Sequence, residues 1–173
     1  MASSADTTWR SMTPDDLAGV MALTAHVHPD YVEDQAVFEE RLKLAPDGCF
    51  SLAREKQVLG YLISHPWQGF VSPPLNTLLH ALPDKADSWY IHDLALSPTV
   101  RGQGFAQQAL VLAEQAARGQ NLPILLLTST CYAIGFWQKM GFAEAPTSKT
   151  EQAVLASYDA QARLLYRTIN GRT

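Results

Sequence analysis

The sequence of 173 residues contains only two cysteines, Cys49 and Cys131. They lie far apart and form neither a CxxC pair nor a cluster with histidine, which excludes a disulfide framework and the usual zinc sites. We therefore expect two reduced thiols and no bound metal.

The sequence also lacks a long apolar run and a cluster of basic residues. No segment is apolar enough to span a membrane, and the first ten residues, MASSADTTWR, contain no secretory signal. These absences predict a cytoplasmic protein without a membrane partner. A net charge of −4 without a Lys/Arg run argues against a nucleic-acid partner.

What is present is the composition of an ordinary globular protein, with 47% hydrophobic and 17% charged residues. A chain of this length is expected to form one domain, residues 1–173. Apolar periodicity and turn residues predict helices at about residues 14–28, 33–45, 106–118 and 131–140. Strands at about 7–12, 89–96, 122–130, 141–146 and 162–169, and a hairpin at about 49–65, predict a mixed α/β sheet.

Residues 66–88 are the least regular part of the sequence and hold four of its ten prolines. Leu75, Leu78, Leu79 and Leu82 have the spacing of a short helix inside it. The segment is too long for a simple connection and too apolar for a disordered linker, so we predict a packing or functional role.

A turn with two glycines, RGQGFA at residues 101–106, lies between a predicted strand and a predicted helix. Unpaired backbone N–H groups at a helix N-terminus, with glycines and an arginine, are typical of a phosphate-binding loop. A Walker A loop would need Gly-Lys-Ser/Thr, and the dinucleotide fingerprint a third glycine where Gln107 stands. These residues alone leave open another class of anion site and an ordinary turn.

Two motifs together resemble the GNAT superfamily of N-acetyltransferases. The first is the pattern Gln/Arg-x-x-Gly-x-Gly/Ala, present as Arg101, Gly104 and Ala106 after a predicted strand. The second is FWQKMGF, residues 136–142, which looks like the family's second signature. The resemblance implies a GNAT fold: a central, mostly antiparallel twisted sheet of six to seven strands with a splayed parallel pair, flanked by about four helices.

The resemblance also implies acetyl-CoA as cosubstrate. Its pyrophosphate is expected on the main-chain N–H groups of residues 103–106, and its pantetheine arm on the backbone of residues 94–96. Thr130 stands where many members have an asparagine that contacts this arm. The implied cofactor-binding residues are Leu94, Ala95, Leu96, Arg101, Gly102, Gln103, Gly104, Phe105, Ala106, Thr130 and Trp137.

His92 is the candidate general base, since an imidazole with an ordinary pKa of about 6.5 can accept a proton near neutral pH. On a strand of period two, His92 shares a face with Tyr90, and Asp93 points to the opposite face. The resemblance adds that serotonin N-acetyltransferase and its relatives have a catalytic histidine aligned with His92, and other members a glutamate aligned with Tyr90. The alternative is a structural strand histidine.

Trp137 stands where many members have a tyrosine that protonates the departing thiolate. An indole donates a hydrogen bond but does not transfer a proton, so the proton is expected from water or from Tyr132 or Tyr158. Core packing is the alternative for all three side chains. Cys131, expected at the head of a helix, suggests a covalent route, which we disfavour because nothing in the sequence partners its thiol.

In the family the acceptor is bound by the first two helices, the connection between the third and fourth strands, and the last hairpin. Aromatic and acidic side chains in these places suit a small aromatic or aliphatic amine, although an acidic helical face is often only solvated. They are His26, His28, Tyr31, Trp67, Phe70 and His80, with Glu33, Asp34, Glu39 and Glu40.

The sequence thus predicts an N-acetyltransferase, monomeric or homodimeric, that moves the acetyl group of acetyl-CoA directly to a primary amine. The alternative is a non-catalytic GNAT-like module that binds CoA as a sensor or scaffold. Trp137 and Thr130 favour this alternative, whereas His92 disfavours it.

Overall fold

A computed structural model describes residues 6–170 of the chain. The prediction that the sequence contains no secretory signal rests in part on residues 1–5, which lie outside the described range. The strands are β1 (Thr8–Ser11), β2 (Cys49–Arg54), β3 (Gln57–Trp67), β4 (Ser88–Leu96), β5 (Ile124–Ser129), β6 (Ala143–Glu144) and β7 (Arg163–Thr168). The α-helices are α1 (Leu17–Val27), α2 (Gln35–Leu44), α3 (Phe105–Gly119), α4 (Ile134–Lys139) and α5 (Lys149–Ala156).

The seven strands form one sheet in the order β1-β2-β3-β4-β5-β7-β6. All neighbours are antiparallel except β4 and β5, which confirms the predicted fold class and its parallel pair. These two strands pair only between residues 89–91 and 125–127, although β4 continues to Leu96. Beyond residue 91, no described strand pairs with the edge of β4 that faces β5, so this edge is open to a ligand's amides.

One extra residue interrupts β4 at the centre of the sheet. Ile63 of β3 lies opposite Asp93, whereas the next residue, Ser64, lies opposite Ile91, so His92 is the inserted residue of a β-bulge. His92 and Asp93 consequently both bond to the segment that links α1 to α2. The prediction that Asp93 points to the opposite face from His92 is wrong, because the bulge breaks the alternation on which it relied.

Hydrophobic clusters cover both faces of the sheet. Helix α3 is amphipathic and buries Ala109, Ala113 and Ala117, at i, i+4 and i+8, against the central strands. Helices α1 and α2 cover the other face around Tyr61 and Ile63 of β3. The central strands are therefore held from both sides, which fixes the position of the residues at the end of β4.

Residues 68–87 connect β3 to β4, and we call them the strap. The strap contains turns and bends but no helix, so the predicted helical turn across Leu75 to Leu82 is wrong. Three of its N–H groups, those of Asn76, Leu79 and His80, bond to carboxylates in or next to α2. Glu40 of α2, for example, accepts from the N–H groups of Leu79 and His80.

Two helical predictions near the C-terminus also need correction. Helix α4 begins at Ile134, so Cys131 lies in the preceding turn and does not head the helix. Helix α5 is additional to the prediction, and its N-cap residue Ser148 accepts a hydrogen bond from the N–H of Glu151. Across residues 6–170, no helix is both long and apolar enough to cross a membrane.

Candidate active site

The side chains of His92 and Glu33 form a buried pair at the point where β4 and β5 separate. His92 Nε2 lies 2.8 Å from Glu33 Oε1, and the two side chains are 2% and 7% exposed. Glu33 stands just before α2, and His92 is the bulge residue of β4. A carboxylate and an imidazole are thus held together by two different parts of the fold.

This pair decides which nitrogen of His92 can accept a proton. A carboxylate only accepts hydrogen bonds, so Nε2 carries the hydrogen, and Nδ1 of the neutral ring keeps its lone pair. Nδ1 is buried and has no partner within residues 6–170. A carboxylate at Nε2 also stabilises the imidazolium that forms once Nδ1 takes a proton. Such an arrangement can act as an oriented general base.

Glu33 also anchors the strap. Its Oε2 accepts a hydrogen bond of 3.0 Å from the N–H of Asn76, whose φ of 55° lies in the left-handed region that asparagine tolerates. The Asn76 side chain in turn accepts from the N–H of Asp34 at 2.7 Å. The residue that orients His92 therefore also fixes the strap beside it.

Glu40 and Arg41 form a second anchor. Arg41 is fully buried and donates to Glu40 at 2.7 Å and to the carbonyl of Thr77 at 3.1 Å. Burial opposes the charge of Glu40, but the N–H groups of Leu79 and His80 and the charge of Arg41 outweigh it and lower the pKa of Glu40. This buried ion pair thus holds the strap in position.

Tyr90 is bonded to the neighbouring strand. Its hydroxyl donates to Thr128 Oγ1 at 2.8 Å, and Thr128 Oγ1 lies 2.6 Å from Ser72 Oγ of the strap. Burial raises the pKa of the Tyr90 hydroxyl, so this phenol stays neutral. The arrangement supports a packing and orienting role for Tyr90 beside His92.

Four rings meet at this point, and we call His65, Trp67, Tyr90 and His92 the aromatic cluster. The centroids of the neighbouring rings are 5.4 to 6.5 Å apart. His65 is fully buried on β3, and its Nδ1 lies 2.9 Å from the carbonyl of Pro66, so Nδ1 carries the hydrogen. Its Nε2 has no partner in the described part of the chain.

Asp93 belongs to a separate network. Its Oδ1 lies 3.2 Å from His28 Nε2, and its Oδ2 accepts from the Tyr61 hydroxyl at 2.6 Å. Burial opposes both charges, but the bond and mutual attraction outweigh it, raising the pKa of His28 and lowering the pKa of Asp93. Asp93 thus has the partners expected of a structural carboxylate.

The glycine turn lies on the surface at the start of α3. Gly102 and Gly104 have φ of 72° and 86°, and an added Cβ at either position would meet nothing within 4 Å. The glycines therefore provide a left-handed backbone and leave the space above the first N–H groups of α3 clear. Arg101 is exposed beside them and donates to the carbonyl of Leu96 at 3.2 Å. The turn can accommodate a phosphate anion.

The candidate proton donors lie in three different environments. Trp137 is 8% exposed and packs in the core, with its ring 5.4 Å from that of Phe142. Tyr132 is 82% exposed, and the Tyr158 hydroxyl donates to the carbonyl of Pro73 at 2.6 Å. Thr130, a predicted contact of the pantetheine arm, lies in the turn between β5 and α4.

The predicted acceptor residues are only partly brought together. His26 and His80 are exposed, whereas Phe70 packs against Tyr166 of β7 with ring centroids 5.4 Å apart. Tyr31 donates to Asp159 Oδ2 at 2.8 Å. Within residues 6–170, no three His, Cys, Asp or Glu side chains are grouped so as to hold a metal ion.

Sequence reasoning missed His65 and assigned Glu33 to a helix. Asp34, an extended residue at the N-cap of α2, is the signal that could have placed Glu33 outside the helix. His65 lies two positions from both Ile63 and Trp67 on β3, so the period of two could have placed the three side chains on one face. Its contact with Tyr90 depends on strand pairing, which the sequence does not display.

The model of the acetyltransferase (GNAT) family matches residues 14–142 of the chain. No curated protein sequence is significantly similar to it. Among solved structures, a GNAT-like decarboxylase, GphF, in complex with isobutyryl-CoA is similar with a TM-score of 0.78 at 17% identity. That match covers 94% of this chain and 100% of the other.

Two further structures show how widely the fold is used. The ribosomal-protein-S18-alanine N-acetyltransferase from Escherichia coli matches with a TM-score of 0.64 at 15% identity, over 97% of each chain. N-acetylglutamate synthase from Neisseria gonorrhoeae, complexed with coenzyme A and N-acetyl-glutamate, matches with a TM-score of 0.72 at 18% identity, over 98% of this chain and 37% of the other. At these identities the likeness shows the fold and does not select an acceptor.

Proposed function

The chain belongs to the GNAT family of acetyltransferases, and from this premise we propose that it transfers the acetyl group of acetyl-CoA directly to the primary amine of a small molecule. The observation that carries the proposal is the buried pair of His92 and Glu33 beside the open edge of β4. An oriented imidazole at this place is what amine acylation requires of a base.

The open edge of β4 and the glycine turn fit the two ends of acetyl-CoA. Along residues 94–96 no described strand pairs with the edge of β4 that faces β5, so this edge is available to the amides of pantetheine. The first N–H groups of α3 offer a site for the pyrophosphate. Arg101 adds positive charge beside Gly102 and Gly104, which leave the site clear. The strand leads from this arm to His92, and this order supports placing the thioester near the base.

His92 would act through Nδ1. As the amine attacks the thioester carbonyl, an N–H bond of the amine breaks and the Nδ1–H bond forms, while Glu33 stabilises the positive charge through Nε2. The hydroxyls of Tyr90 and Tyr158 both donate to protein oxygens. We therefore assign the proton of the departing thiolate to the imidazolium of His92 and not to these phenols.

The segments that pack around the aromatic cluster support the proposal of a small acceptor. The strap is bonded to Glu33 through Asn76, and the segment before β7 is bonded to the strap through Tyr158 and Pro73. Tyr31, ahead of α2, donates to the same C-terminal segment. A closed acceptor side leaves little room for a folded protein chain, and it favours a compact amine.

The experiment that tests the proposal measures thiol release from acetyl-CoA with a panel of small amines and N-terminal peptides. We expect a small amine to release thiol, and the His92→Gln variant to lower kcat/KM about 100-fold or more because the base is lost. The matched control is His26→Gln, which changes an exposed histidine and is expected to keep full activity.

One result of the same assay would replace the proposed function with another. If acetyl-CoA binds but neither amines nor peptides release thiol, the chain is a CoA-binding module without catalysis. Full activity of the His92→Gln variant with an unchanged pH profile would remove His92 as the base.

A further inference from the structure

Two buried nitrogen atoms of the aromatic cluster have lone pairs but no hydrogen-bond donor. They are His65 Nε2 and His92 Nδ1, and neither has a partner among residues 6–170. The hydrogens of both neutral rings are already used, on the carbonyl of Pro66 at 2.9 Å and on Glu33 at 2.8 Å. Leaving a buried acceptor unpaired is unfavourable, so these two atoms are suited to accept hydrogen bonds from a ligand.

The spacing of the two rings suits one donor atom between them. Their centroids are 6.5 Å apart and their planes are tilted by 36°. A ring nitrogen lies about 1 Å from its centroid, and a hydrogen bond adds about 3 Å, so a shared donor lies about 4 Å from each centroid. The angle between the two ring centroids at such a donor is then about 109°, close to the tetrahedral angle of an ammonium nitrogen.

We propose that His65 and His92 together bind the primary ammonium group of the acceptor, which makes His65 a specificity-determining residue. This inference rests on the proposed transfer to an amine. An ammonium group donates to both lone pairs at once, whereas a hydroxyl or thiol has one hydrogen and satisfies one of them. The carboxylate of Glu33 contacts His92, and the rings of Tyr90 and Trp67 belong to the same cluster, so this part of the site favours a cation.

The two histidines differ in what they do with the proton. Glu33 stabilises a positive charge on His92, whereas among residues 6–170 the one hydrogen-bond partner of the His65 ring is the Pro66 carbonyl. Burial lowers the pKa of His65 to about 3, so this ring accepts a hydrogen bond without taking the proton. His65 therefore holds the amine nitrogen while His92 takes the ammonium proton and passes it to solvent, which leaves a neutral amine and a free Nδ1 for the attack described above.

Kinetics with the amine found in the thiol-release assay test this role. The His65→Leu variant removes the lone pair, and we expect the KM for the amine to rise about 10- to 100-fold, with kcat and the KM for acetyl-CoA within about threefold. The His65→Gln variant restores an acceptor oxygen and should recover most of the loss. An unchanged amine KM in the folded His65→Leu variant, or an equal loss in both variants, overturns the proposal.

A binding experiment separates this subsite from the proposed reaction. We would titrate wild-type protein with methylammonium, and with methanol as the neutral counterpart, and follow the ring NMR signals of His65 and His92. A saturable shift of both rings with methylammonium only is the expected result, and it would sustain the subsite even if no amine were acetylated. No shift of His65, or equal shifts with methanol, would overturn the subsite.

Discussion

At the scale of single residues, Glu33 holds two parts of the site at once. One carboxylate oxygen bonds to His92 Nε2 and the other accepts from the N–H of Asn76. The first bond sets the tautomer of His92, the proposed base, and the second fixes the strap. A substitution that removes the charge but keeps the shape therefore tests the first role with little effect on the second.

The Glu33→Gln variant should lower kcat by about 100-fold or more while acetyl-CoA binding is retained. The glutamine amide can donate to Nε2, which favours the tautomer with hydrogen on Nδ1, and it no longer stabilises the imidazolium. Steady-state kinetics with both substrates measure this effect.

The matched control for this variant is Glu39→Gln, on the exposed face of α2, where the native carboxylate accepts a hydrogen bond from Gln35. It should leave kcat and both KM values unchanged. Activity of the Glu33→Gln variant within threefold of wild type would show that His92 does not depend on this carboxylate.

At the scale of elements, the strap is held by side chains of the helical layer instead of by secondary structure. Glu40 accepts from Leu79 and His80, and the fully buried Arg41 donates to Thr77. Such a segment is stable only while its anchors are charged and in place. Its position is therefore a property of α2 as much as of its own sequence.

The Glu40→Ala variant should lose about 3 kcal/mol of unfolding free energy, because it leaves the buried guanidinium of Arg41 without its carboxylate. The amides of Leu79 and His80 should exchange with solvent faster, since they lose their acceptor. Urea unfolding and hydrogen exchange measure the two effects.

The matched control is Glu39→Ala, which changes the exposed residue next to Glu40 on α2. We expect it to keep both the stability and the slow exchange of the strap amides. Unchanged exchange at Leu79 and His80 in the Glu40→Ala variant would contradict the anchoring role.

The strands and the four long predicted helices could be read from the sequence because their signals are local. Apolar alternation marks β4, and the Thr-Pro-Asp-Asp start marks the first helical segment, where Thr13 and Asp16 form a capping box. The bulge at His92 could not be read this way, since it is defined by the register with β3. The conformation of the strap could not be predicted either, because N–H groups such as that of Leu79 bond to residues about 40 positions away in the chain, here Glu40.

At the scale of the whole molecule, two histidines make stability depend on pH with opposite signs. Burial lowers the pKa of His65 to about 3, whereas the partnership with Asp93 overcomes burial and raises the pKa of His28. The unfolded state binds a proton at both rings near pH 6.5, the ordinary value of about 6.5 for histidine. His65 therefore destabilises the fold as the pH falls below that value, and His28 stabilises it there.

Unfolding free energies of the His65→Gln and His28→Gln variants, measured by urea between about pH 5 and about pH 8, should separate these effects. The advantage of wild type over His65→Gln should shrink by about 1.4 kcal/mol per pH unit as the pH falls below about 6.5. Its advantage over His28→Gln should be full below about pH 6.5 and shrink as the pH rises through the raised pKa of His28. Slopes of the same sign for both variants would contradict this account.

The bulge in β4 has a consequence for anyone who wishes to move this site into another protein. One inserted residue places two adjacent side chains, His92 and Asp93, on the same side of the sheet, where they meet Glu33 and His28 of the segment between α1 and α2. Copying β4 alone would transfer His92 without the carboxylate of Glu33 and Asp93 without the imidazole of His28. The smallest portable unit is therefore the bulged strand with its partner β3 and residues 28–33, in the same relative positions.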